Sequence, residues 1–429
     1  MNAKANNTID KVRQLQRNLY LSAKKGRRRY HAIYDKVYRE DVLLEAWKRV
    51  RANQGVSGID KVSIGDIESY GVEKFLAEVR IELMNNCYKA PPVKRVFIEK
   101  SDGKQRPLGI PTVKDRIVQM AVKLMIEPMF EADFKDNSYG FRPKRSAKMA
   151  LEEVRKACNN KGYYVIDADI KSYFDNINHE KLMLLIELRI SDRRILKLIK
   201  NWLKAGILNE GKYEESTIGS AQGGVISPLC ANIYLNVLDI IWENQGKQYG
   251  KLIRYADDLV IICKNKKNAT HAMEILKAVM KKLELELHPE KTKLVSMWDG
   301  KEGFDFLGMH HRRMKTETSK GTTFNKTYQY PSKKAMKKMK QSIKYVLGSR
   351  VVLKEDINYL INILNPKIRG WRNYYGVKTA KRWLNSIDWY VIQRYTIWYN
   401  KKHQKRNLLR KVGYVRKIAY ESGLLKLSA

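Results

Sequence analysis

Apolar residues recur at roughly helical intervals in the first 45 residues of the chain. The positions in this pattern are Leu15, Leu19, Ile33, Tyr34 and Val37. Such spacing predicts amphipathic helices, and another helix is expected from Asp41, as its N-cap, to Val50. A polar run with two glycines at 53–60 then predicts a loop. Residues 1–50 are therefore expected to form a helical extension, which a cluster of Lys and Arg at 24–29 makes basic.

A strand-like pattern begins at 93–98 and returns at 105–111. Asp102 and Gly103 lie between the two runs, and an Asp-Gly pair in that position is a strong hairpin signal. A helix is predicted to follow from Thr112, with Asp115 in its first turn. The cations that line the hairpin are Lys94, Arg95, Lys100, Lys104 and Arg106. Their charge suits phosphate binding, and a solvated basic hairpin is the alternative interpretation.

The central third of the chain alternates between helical and strand-like patterns. Helices are predicted at 146–158, 178–206, 229–244 and 268–284, and a glycine-rich loop at 221–228. One β-type run ends in carboxylates at Asp167 and Asp169, and two others flank Asp257 and Asp258. Strands that alternate with helices and end in carboxylates predict an α+β sheet backed by helices.

The composition changes near residue 331. From there to the end of the chain, 24 Lys and Arg residues stand against 4 Asp and Glu residues. Apolar residues at helical spacing include Met336, Met339, Ile343 and Val346. We expect a helical bundle with one basic face at 331–400, followed by a short basic segment at 401–429.

The overall charge indicates a nucleic-acid partner. The chain has 84 Lys and Arg against 45 Asp and Glu, a formal net charge of +39. Such an excess destabilises a compact fold by self-repulsion unless a polyanion binds. Histones and ribosomal proteins share this charge but are short, whereas 429 residues with 44% hydrophobic content can bury several cores. A basic enzyme of two to four domains is expected.

The cysteines and the apolar runs bear on location. Cys87, Cys158, Cys230 and Cys263 are dispersed, without Cys-x-x-Cys pairs, which argues against zinc and fits reduced thiols in a cytosol. No apolar run approaches the ~20 residues that cross a bilayer, and the first ten residues lack a signal-peptide core. We therefore expect a soluble cytoplasmic protein without a membrane partner.

The two acidic clusters are the candidate chemistry. Asp257 and Asp258 alone would usually form a solvated turn, but a second cluster at Asp167 and Asp169 lies about ninety residues upstream. Strands that bring these carboxylates together would bind magnesium, which prefers oxygen ligands. Paired metal ions about 4 Å apart are the usual catalysts of in-line nucleotidyl transfer. Asp167 and Asp169 share one strand face, so position alone does not choose between them.

The ordered set of motifs resembles the reverse transcriptase blocks of group II intron-encoded proteins, the maturases. The resemblance covers residues 10–400, with blocks at 53–60, 94–119, 138–143, 167–175, 222–228, 254–258, 287–293, 304–308 and 368–375. There are departures from the family pattern. Lys61 stands where many relatives have Gly, no His-Asn-His nuclease follows, and the segment after 400 is short.

The resemblance implies a right-hand polymerase, with fingers at 51–160, an α+β palm with an antiparallel sheet at 161–310, and an α-helical thumb at 331–400. It implies that Asp169, Asp257 and Asp258 are the catalytic residues and ligands of two Mg²⁺ ions. It selects Asp169 over Asp167 because Phe174 then lies where an aromatic residue would exclude a ribose 2′-hydroxyl. Further nucleotide-binding residues are expected at Lys94, Arg106, Gln222 and Lys291.

Nucleic-acid contacts are expected in the basic extension and the thumb. The candidates are Arg28, Arg29, Lys333, Lys337, Arg369 and Arg372. The function implied is RNA-directed DNA synthesis from deoxynucleoside triphosphates on an RNA template–primer duplex, with binding of structured intron RNA and help in its splicing. The alternatives are a domesticated or defence-associated reverse transcriptase, and an RNA chaperone without enzymatic activity. The intact carboxylates argue against the chaperone.

Overall fold

The computed structural model describes residues 2–26, 28–99, 103, 105–209, 212–214, 218–219, 223–317 and 321–428. The N-terminal part is mainly helical, with one antiparallel hairpin. Its helices are α1 (Asn2–Lys24), α2 (Tyr34–Val37), α3 (Glu40–Ala52), α4 (Ile64–Tyr70), α5 (Val72–Met84) and α6 (Val113–Glu131). The hairpin strands are β1 (Val93–Glu99) and β2 (Gln105–Ile110). The predicted hairpin is therefore confirmed.

The central part contains an antiparallel sheet with the strand order β6-β7-β3-β8. Its elements are α7 (Ala147–Asn159), β3 (Tyr164–Asp169), α8 (His179–Glu187), α9 (Arg193–Lys204), β4 (Ile207–Asn209), β5 (Lys212–Glu214), α10 (Ser227–Ile241), β6 (Gly250–Tyr255), β7 (Asp258–Cys263), α11 (Lys266–Lys282) and β8 (Lys293–Ser296). The α+β fold with an antiparallel palm sheet is confirmed.

The C-terminal part begins with a three-stranded sheet and continues with helices. Its elements are β9 (Gly303–Phe306), β10 (Met309–Glu317), β11 (Thr323–Pro331), α12 (Lys333–Gly348), α13 (Ile357–Tyr375), α14 (Lys381–Lys402) and α15 (Val412–Glu421). The hairpin of β10 and β11 was not predicted, because both strands are rich in polar residues and lack a clear apolar alternation. The predicted change to a helical bundle near residue 331 is confirmed.

Helix α6 crosses the middle of the fingers and palm core. Thr112 caps it, with its hydroxyl accepting from the backbone N–H of Asp115 at 3.1 Å. The apolar residues Ile117, Val118, Ala121, Val122 and Met125 are buried, but so are the polar residues Asp115, Arg116 and Gln119. A helix that is buried on all sides must give its polar groups partners inside the protein.

The two faces of the palm sheet pack against different elements. Ile166 and Ala168 join the core shared with α1, α3, α6 and α10, whereas Val165 joins a second core with Phe304 and Phe306. Side chains alternate along a strand, so Asp167 and Asp169 extend from the same face as Val165. The acidic residues therefore lie on the side of the sheet that carries β9 and β10.

Two boundaries differ from those predicted. The helical region predicted at 178–206 is divided into α8 and α9. Asp192, whose side chain is buried, caps the N-terminus of α9 and also accepts from the backbone at the start of α2. Its Oδ1 accepts from Arg194 N at 3.1 Å, and its Oδ2 accepts from Tyr34 N at 2.9 Å. Helix α3 begins at Glu40 after Arg39, so Asp41 lies in its first turn and is not its cap.

The thumb helices have a core of their own. Met339, Ile343, Leu364 and Ile387 are among its buried residues. The segment after residue 400 contributes to the same core, for example through Leu427. No helix in the described part of the chain is long and apolar enough to cross a membrane.

Candidate active site

The carboxylates at the two predicted clusters meet at one edge of the palm sheet. Asp169, the last residue of β3, is paired directly with Asp258, the first residue of β7. Residues paired in this way have their Cβ atoms about 4.5–5.5 Å apart. Asp257 lies in the two-residue turn between β6 and β7, in which Ala256 has a φ of +58°. The structure thus brings together Asp169, Asp257 and Asp258, which are some ninety residues apart in sequence.

The environment of these carboxylates disfavours their charged forms. Desolvation in the cleft, followed by the charges of Asp257 and Asp169, raises the pKa of Asp258 to about 6, although water reaches its side chain. Desolvation and the charge of Asp169 raise the pKa of Asp257 as well. The edge therefore carries negative charge that lacks full compensation, which a bound cation would provide.

Asp167 belongs to the same acidic surface. Desolvation, together with Asp258, Asp305 and Asp169, raises its pKa to about 7. Asp167 is paired with Val260 in β7 and with Lys293 in β8. It therefore lies two residues further along β3 from the β6–β7 turn than Asp169 does. This register favours Asp169 as the partner of Asp257 and Asp258.

Lys291 reaches into the acidic cluster. Its Nζ lies 2.5 Å from Asp169 Oδ2. The loop that carries it is attached to β3, because His288 N donates to the backbone oxygen of Asp169 at 2.8 Å. The predicted nucleotide-binding lysine is therefore next to the proposed metal ligands.

The donor set fits a hard divalent cation. Among the described residues, no three His, Cys, Asp or Glu side chains converge tightly enough to enclose an ion as they stand. However, Asp169, Asp257 and Asp258 offer only oxygen donors, from one sheet edge, and the Lys291 ammonium already acts as a cation at Asp169. The elevated pKa values of Asp257 and Asp258 also fit a site whose charge a metal ion would balance.

A buried ion pair stabilises the turn between β6 and β7 from the interior of the protein. Arg254 and Asp239 have fully buried side chains and form a salt bridge. Arg254 Nη1 also donates to the backbone oxygen of Ala256 at 3.0 Å and to Asn232 Oδ1 at 3.1 Å. Sequence reasoning did not assign a role to these residues, although charged residues inside apolar runs were a signal for a buried network.

The segment at 138–143 is attached to the same turn. Tyr139 N donates to the backbone oxygen of Arg254 at 2.9 Å, and Asn232 Nδ2 donates to that of Gly140 at 2.8 Å. A Cβ at Gly140 would collide with the backbone of Ala256. Only glycine therefore allows this segment to approach the turn so closely.

Two of the predicted phosphate-binding cations, Lys94 and Arg106, share one face of the finger hairpin, and Arg95, which is paired with Gly109, is on the other face. Lys94 is paired with Ile110, and Arg106 with Ile98, which puts both cations on the same side. The charge of Arg106 lowers the pKa of Asp257 against the larger effect of desolvation, so Arg106 is directed towards the carboxylates. Lys94 is exposed, and Lys100 and Lys104 lie outside the described residues.

Two nucleotide-binding candidates remain, Phe174 and Gln222. Phe174 is 9% exposed, and its ring packs edge-to-face on Tyr173 with centroids 5.4 Å apart. Gln222 lies outside the described residues. Gly223, the next residue, has a φ of +122°, and a Cβ on it would lie 2.5 Å from the backbone oxygen of Gly109 in β2. The glycine-rich loop therefore adjoins the finger hairpin.

Gln119 of α6 positions this loop, a role that the sequence did not reveal. Its Oε1 accepts from Val225 N at 2.8 Å and from Ile226 N at 3.3 Å. Its Nε2 donates to Asp115 Oδ2 at 3.0 Å. Burial raises the pKa of Asp115 to about 6, against hydrogen bonds from Tyr88, Trp202 and Gln119.

The nucleic-acid-binding candidates lie at three places. Arg28 and Arg29 are exposed in the segment after α1. Lys333 and Lys337 are exposed on α12, and on α13 Arg369 is exposed and Arg372 half-buried. Lys333 also lines a cleft of about 510 Å³ beside the palm sheet. The other residues that line this cleft include Asp167, Lys293, Lys301, Asp305, His310, Arg312 and Tyr330.

Fingers with a basic hairpin, an acidic palm sheet and a helical thumb define a nucleic-acid polymerase. Comparison with known proteins identifies its class. A family model described as "Reverse transcriptase (RNA-dependent DNA polymerase)" matches residues 98–311, and one described as "Group II intron, maturase-specific domain" matches residues 336–416.

Relatives extend this match over most of the chain. Protein YkfC of Escherichia coli (strain K12) is 37% identical over 303 residues, 62% of this chain and 77% of that protein. Group II intron-encoded protein LtrA of Lactococcus lactis subsp. cremoris is 29% identical over 435 residues, 82% of this chain and 72% of that protein. The chain belongs to the reverse transcriptases that carry a group II intron maturase domain. It is an RNA-directed DNA polymerase, an enzyme class that uses divalent metal ions.

Proposed function

We propose that this reverse transcriptase adds deoxynucleotides to a primer 3′ end at Asp169, Asp257 and Asp258. The observation that carries the proposal is the register of β3 against β7, with Asp169 opposite Asp258 and Asp257 in the adjoining turn. Around this site we assign the fingers to 51–160, the palm to 161–310 and the thumb to 331–400.

The three carboxylates are the proposed ligands of two Mg²⁺ ions. Magnesium, when bound, activates the primer hydroxyl and balances charge on the phosphates. The primer 3′ hydroxyl loses its proton to solvent and its oxygen bonds to the α-phosphorus of the incoming nucleotide, while the bond from that phosphorus to the bridging oxygen breaks and pyrophosphate leaves. Lys291, whose ammonium lies 2.5 Å from Asp169 Oδ2, can donate a proton to the leaving pyrophosphate.

The finger hairpin and the glycine-rich loop are the proposed walls of the nucleotide site. Arg106 and Lys94 would bind the triphosphate, since guanidinium and ammonium groups suit phosphate oxygens. Gln222 would contact the nucleotide from the loop that Gln119 holds. Phe174 would lie beneath the sugar and exclude a 2′-hydroxyl, which distinguishes ribonucleotides from deoxynucleotides.

Primer extension on an RNA template tests the proposed site. Asp257→Ala and Asp169→Ala should lower DNA synthesis by at least about a hundredfold, because each removes a metal ligand that has no substitute. Asp299→Ala removes an exposed acid in the turn before β9 and should extend like the wild type. Synthesis by either active-site variant within about tenfold of the wild-type rate would refute the assignment.

A second proposed activity is binding of the parent intron RNA and assistance in its splicing. It is supported by the maturase-specific domain at 336–416 and by the excess of cations after residue 331. Phosphate binding by Lys and Arg does not require the carboxylates. Asp257→Ala should therefore bind structured RNA and promote splicing as the wild type does, while its DNA synthesis is lost.

A further inference from the structure

Phe141 has a backbone conformation that aromatic residues rarely adopt. Its φ is +56°, in the left-handed region. Its side chain is 50% exposed. A bulky residue with this φ is an outlier that persists only where the surrounding structure enforces it, and such outliers cluster at functional sites. Burial of the ring in a core does not explain this one, because half of the side chain faces solvent.

The residues on both sides of Phe141 hold it in this conformation. Gly140 is pressed against the backbone of Ala256. Arg142 is 7% exposed, and it donates to Glu131 Oε1 at 2.7 Å and to the backbone oxygen of Ser138 at 2.7 Å. These contacts anchor the chain before and after Phe141, so its ring remains at the surface.

The ring lies beside the catalytic turn, which is the turn between β6 and β7 that carries Asp257. Its centroid is 6.5 Å from that of Tyr255, the last residue of β6, which is paired with Asp258. Tyr255 and Tyr374 of the thumb pack against the same apolar cluster, which includes Phe304 and Phe306. Tyr374 donates to the backbone oxygen of Leu307 at 2.8 Å. The exposed ring thus belongs to an aromatic group that extends from the catalytic turn to the thumb.

We propose that Phe141 is a contact residue for the template–primer duplex and packs its ring against the sugars and bases next to the reacting 3′ end. This inference rests on the proposed function of Asp169, Asp257 and Asp258. An aromatic face suits such a partner because every base and sugar offers an apolar surface, whatever the sequence. This contact accounts for the strained backbone at Phe141, because relaxation of the backbone would withdraw the ring from the nucleic acid.

Substitutions that relax the backbone and remove the ring test the proposal. Gly and Asn tolerate a positive φ. The backbone conformation at position 141 therefore gives no reason for Phe141→Gly or Phe141→Asn to lower the melting temperature. Both should weaken binding of an RNA template–DNA primer duplex by about fivefold to a hundredfold, the range for loss of one aromatic contact to a base. With saturating duplex, kcat should stay within about twofold of wild type. Phe141→Tyr, which retains a ring, should bind the duplex normally.

Lys161→Gly is the matched control. Lys161 is exposed and has a φ of +60°, so the change also relaxes a left-handed residue but removes no ring, and it precedes β3 at the end opposite Asp169. It should leave duplex binding unchanged. Normal duplex affinity of Phe141→Gly and Phe141→Asn, or an equal loss in Phe141→Tyr, would overturn the inference whatever their stability. Asp257→Ala in the same assay separates failure of this inference from failure of the proposed active site. It should bind the duplex but not extend it. Primer extension by Asp257→Ala would refute the proposed active site and not the role of Phe141.

Discussion

Individual residues near the active site differ in how much their sequence context revealed. The carboxylates at the strand ends were predicted from their positions, the family resemblance selected Asp169 over Asp167, and Asp169, Asp257 and Asp258 meet as expected. The contacts between these groups and their neighbours were not predicted. Lys291 lies on Asp169, and the pKa of Asp167 rises to about 7 through desolvation and three nearby carboxylates. A residue's charge can be read from the sequence, whereas its pKa depends on which other charges fold around it.

Phe174→Ala should increase incorporation of ribonucleotides relative to deoxynucleotides. The proposed clash with a 2′-hydroxyl resembles overpacking, which costs about 1–3 kcal/mol, or about fivefold to 150-fold in discrimination. Competition between the two nucleotide types in primer extension measures it. Because Phe174 is 9% exposed, the cavity should also lower stability, so melting temperature must be recorded.

Phe174→Leu serves as the control for packing, since it preserves more of the buried volume than Ala does. It should show a smaller change in both stability and discrimination. If Phe174→Ala polymerises and retains the wild-type preference, the ring has only a packing role.

Among the elements, α6 and the β6–β7 hairpin position most of the site. Helix α6 was predicted from Thr112 and Asp115 at its start, but its burial on all sides was not, and Gln119 uses this position to bind the backbone of the glycine-rich loop. The β6–β7 hairpin was predicted from its apolar flanks. Its turn is stabilised by Arg254 and Asp239. This role was not inferred from the sequence, in which both residues stand within largely apolar segments. In both elements, buried polar groups connect segments that are distant along the chain.

Arg254→Met should destabilise the protein by about 3–5 kcal/mol, because Asp239 would then be a buried charge without its partner. The double variant Arg254→Met with Asp239→Leu removes both charges and should regain much of this loss. Its DNA synthesis should remain impaired, because the backbone oxygen of Ala256 still lacks its donor. Thermal unfolding and primer extension measure the two effects. Wild-type synthesis by the double variant would mean that the ion pair contributes stability alone.

For the whole molecule, the distribution of charge is the dominant feature. The net charge of +39 is concentrated after residue 331, where the exposed lysines of α12 follow the β10–β11 hairpin. Each phosphate that a protein neutralises releases counterions, so the logarithm of affinity falls linearly with the logarithm of salt concentration. The slope of that line counts the phosphate contacts and does not depend on the identity of the RNA.

Charge reversal on α12 should reduce this slope. The four substituted lysines are exposed: Lys333, Lys334, Lys337 and Lys338. Each lost contact should lower the slope by about 0.7–0.9, and assistance in splicing should weaken with it. A salt titration of RNA affinity measures the change.

The matched control reverses four exposed lysines on α11, behind the palm sheet: Lys266, Lys267, Lys277 and Lys281. It alters the net charge equally and should leave the slope close to that of the wild type. Coincident lines for the α12 variant and the wild type would mean that the RNA binds elsewhere.

The sequence by itself determined the order of blocks, the α+β palm, the helical thumb, the basic charge and the carboxylates at the strand ends. These features depend on local periodicity and residue type, which a chain carries without folding. Only the tertiary structure decided that Lys291 meets Asp169 across 122 positions and that Gln119 meets Val225 across 106. It also decided that Arg254 is buried and that Phe141 is held at the surface. Such contacts depend on how whole elements pack, because a polar side chain specifies a need for a partner but not which distant segment supplies it.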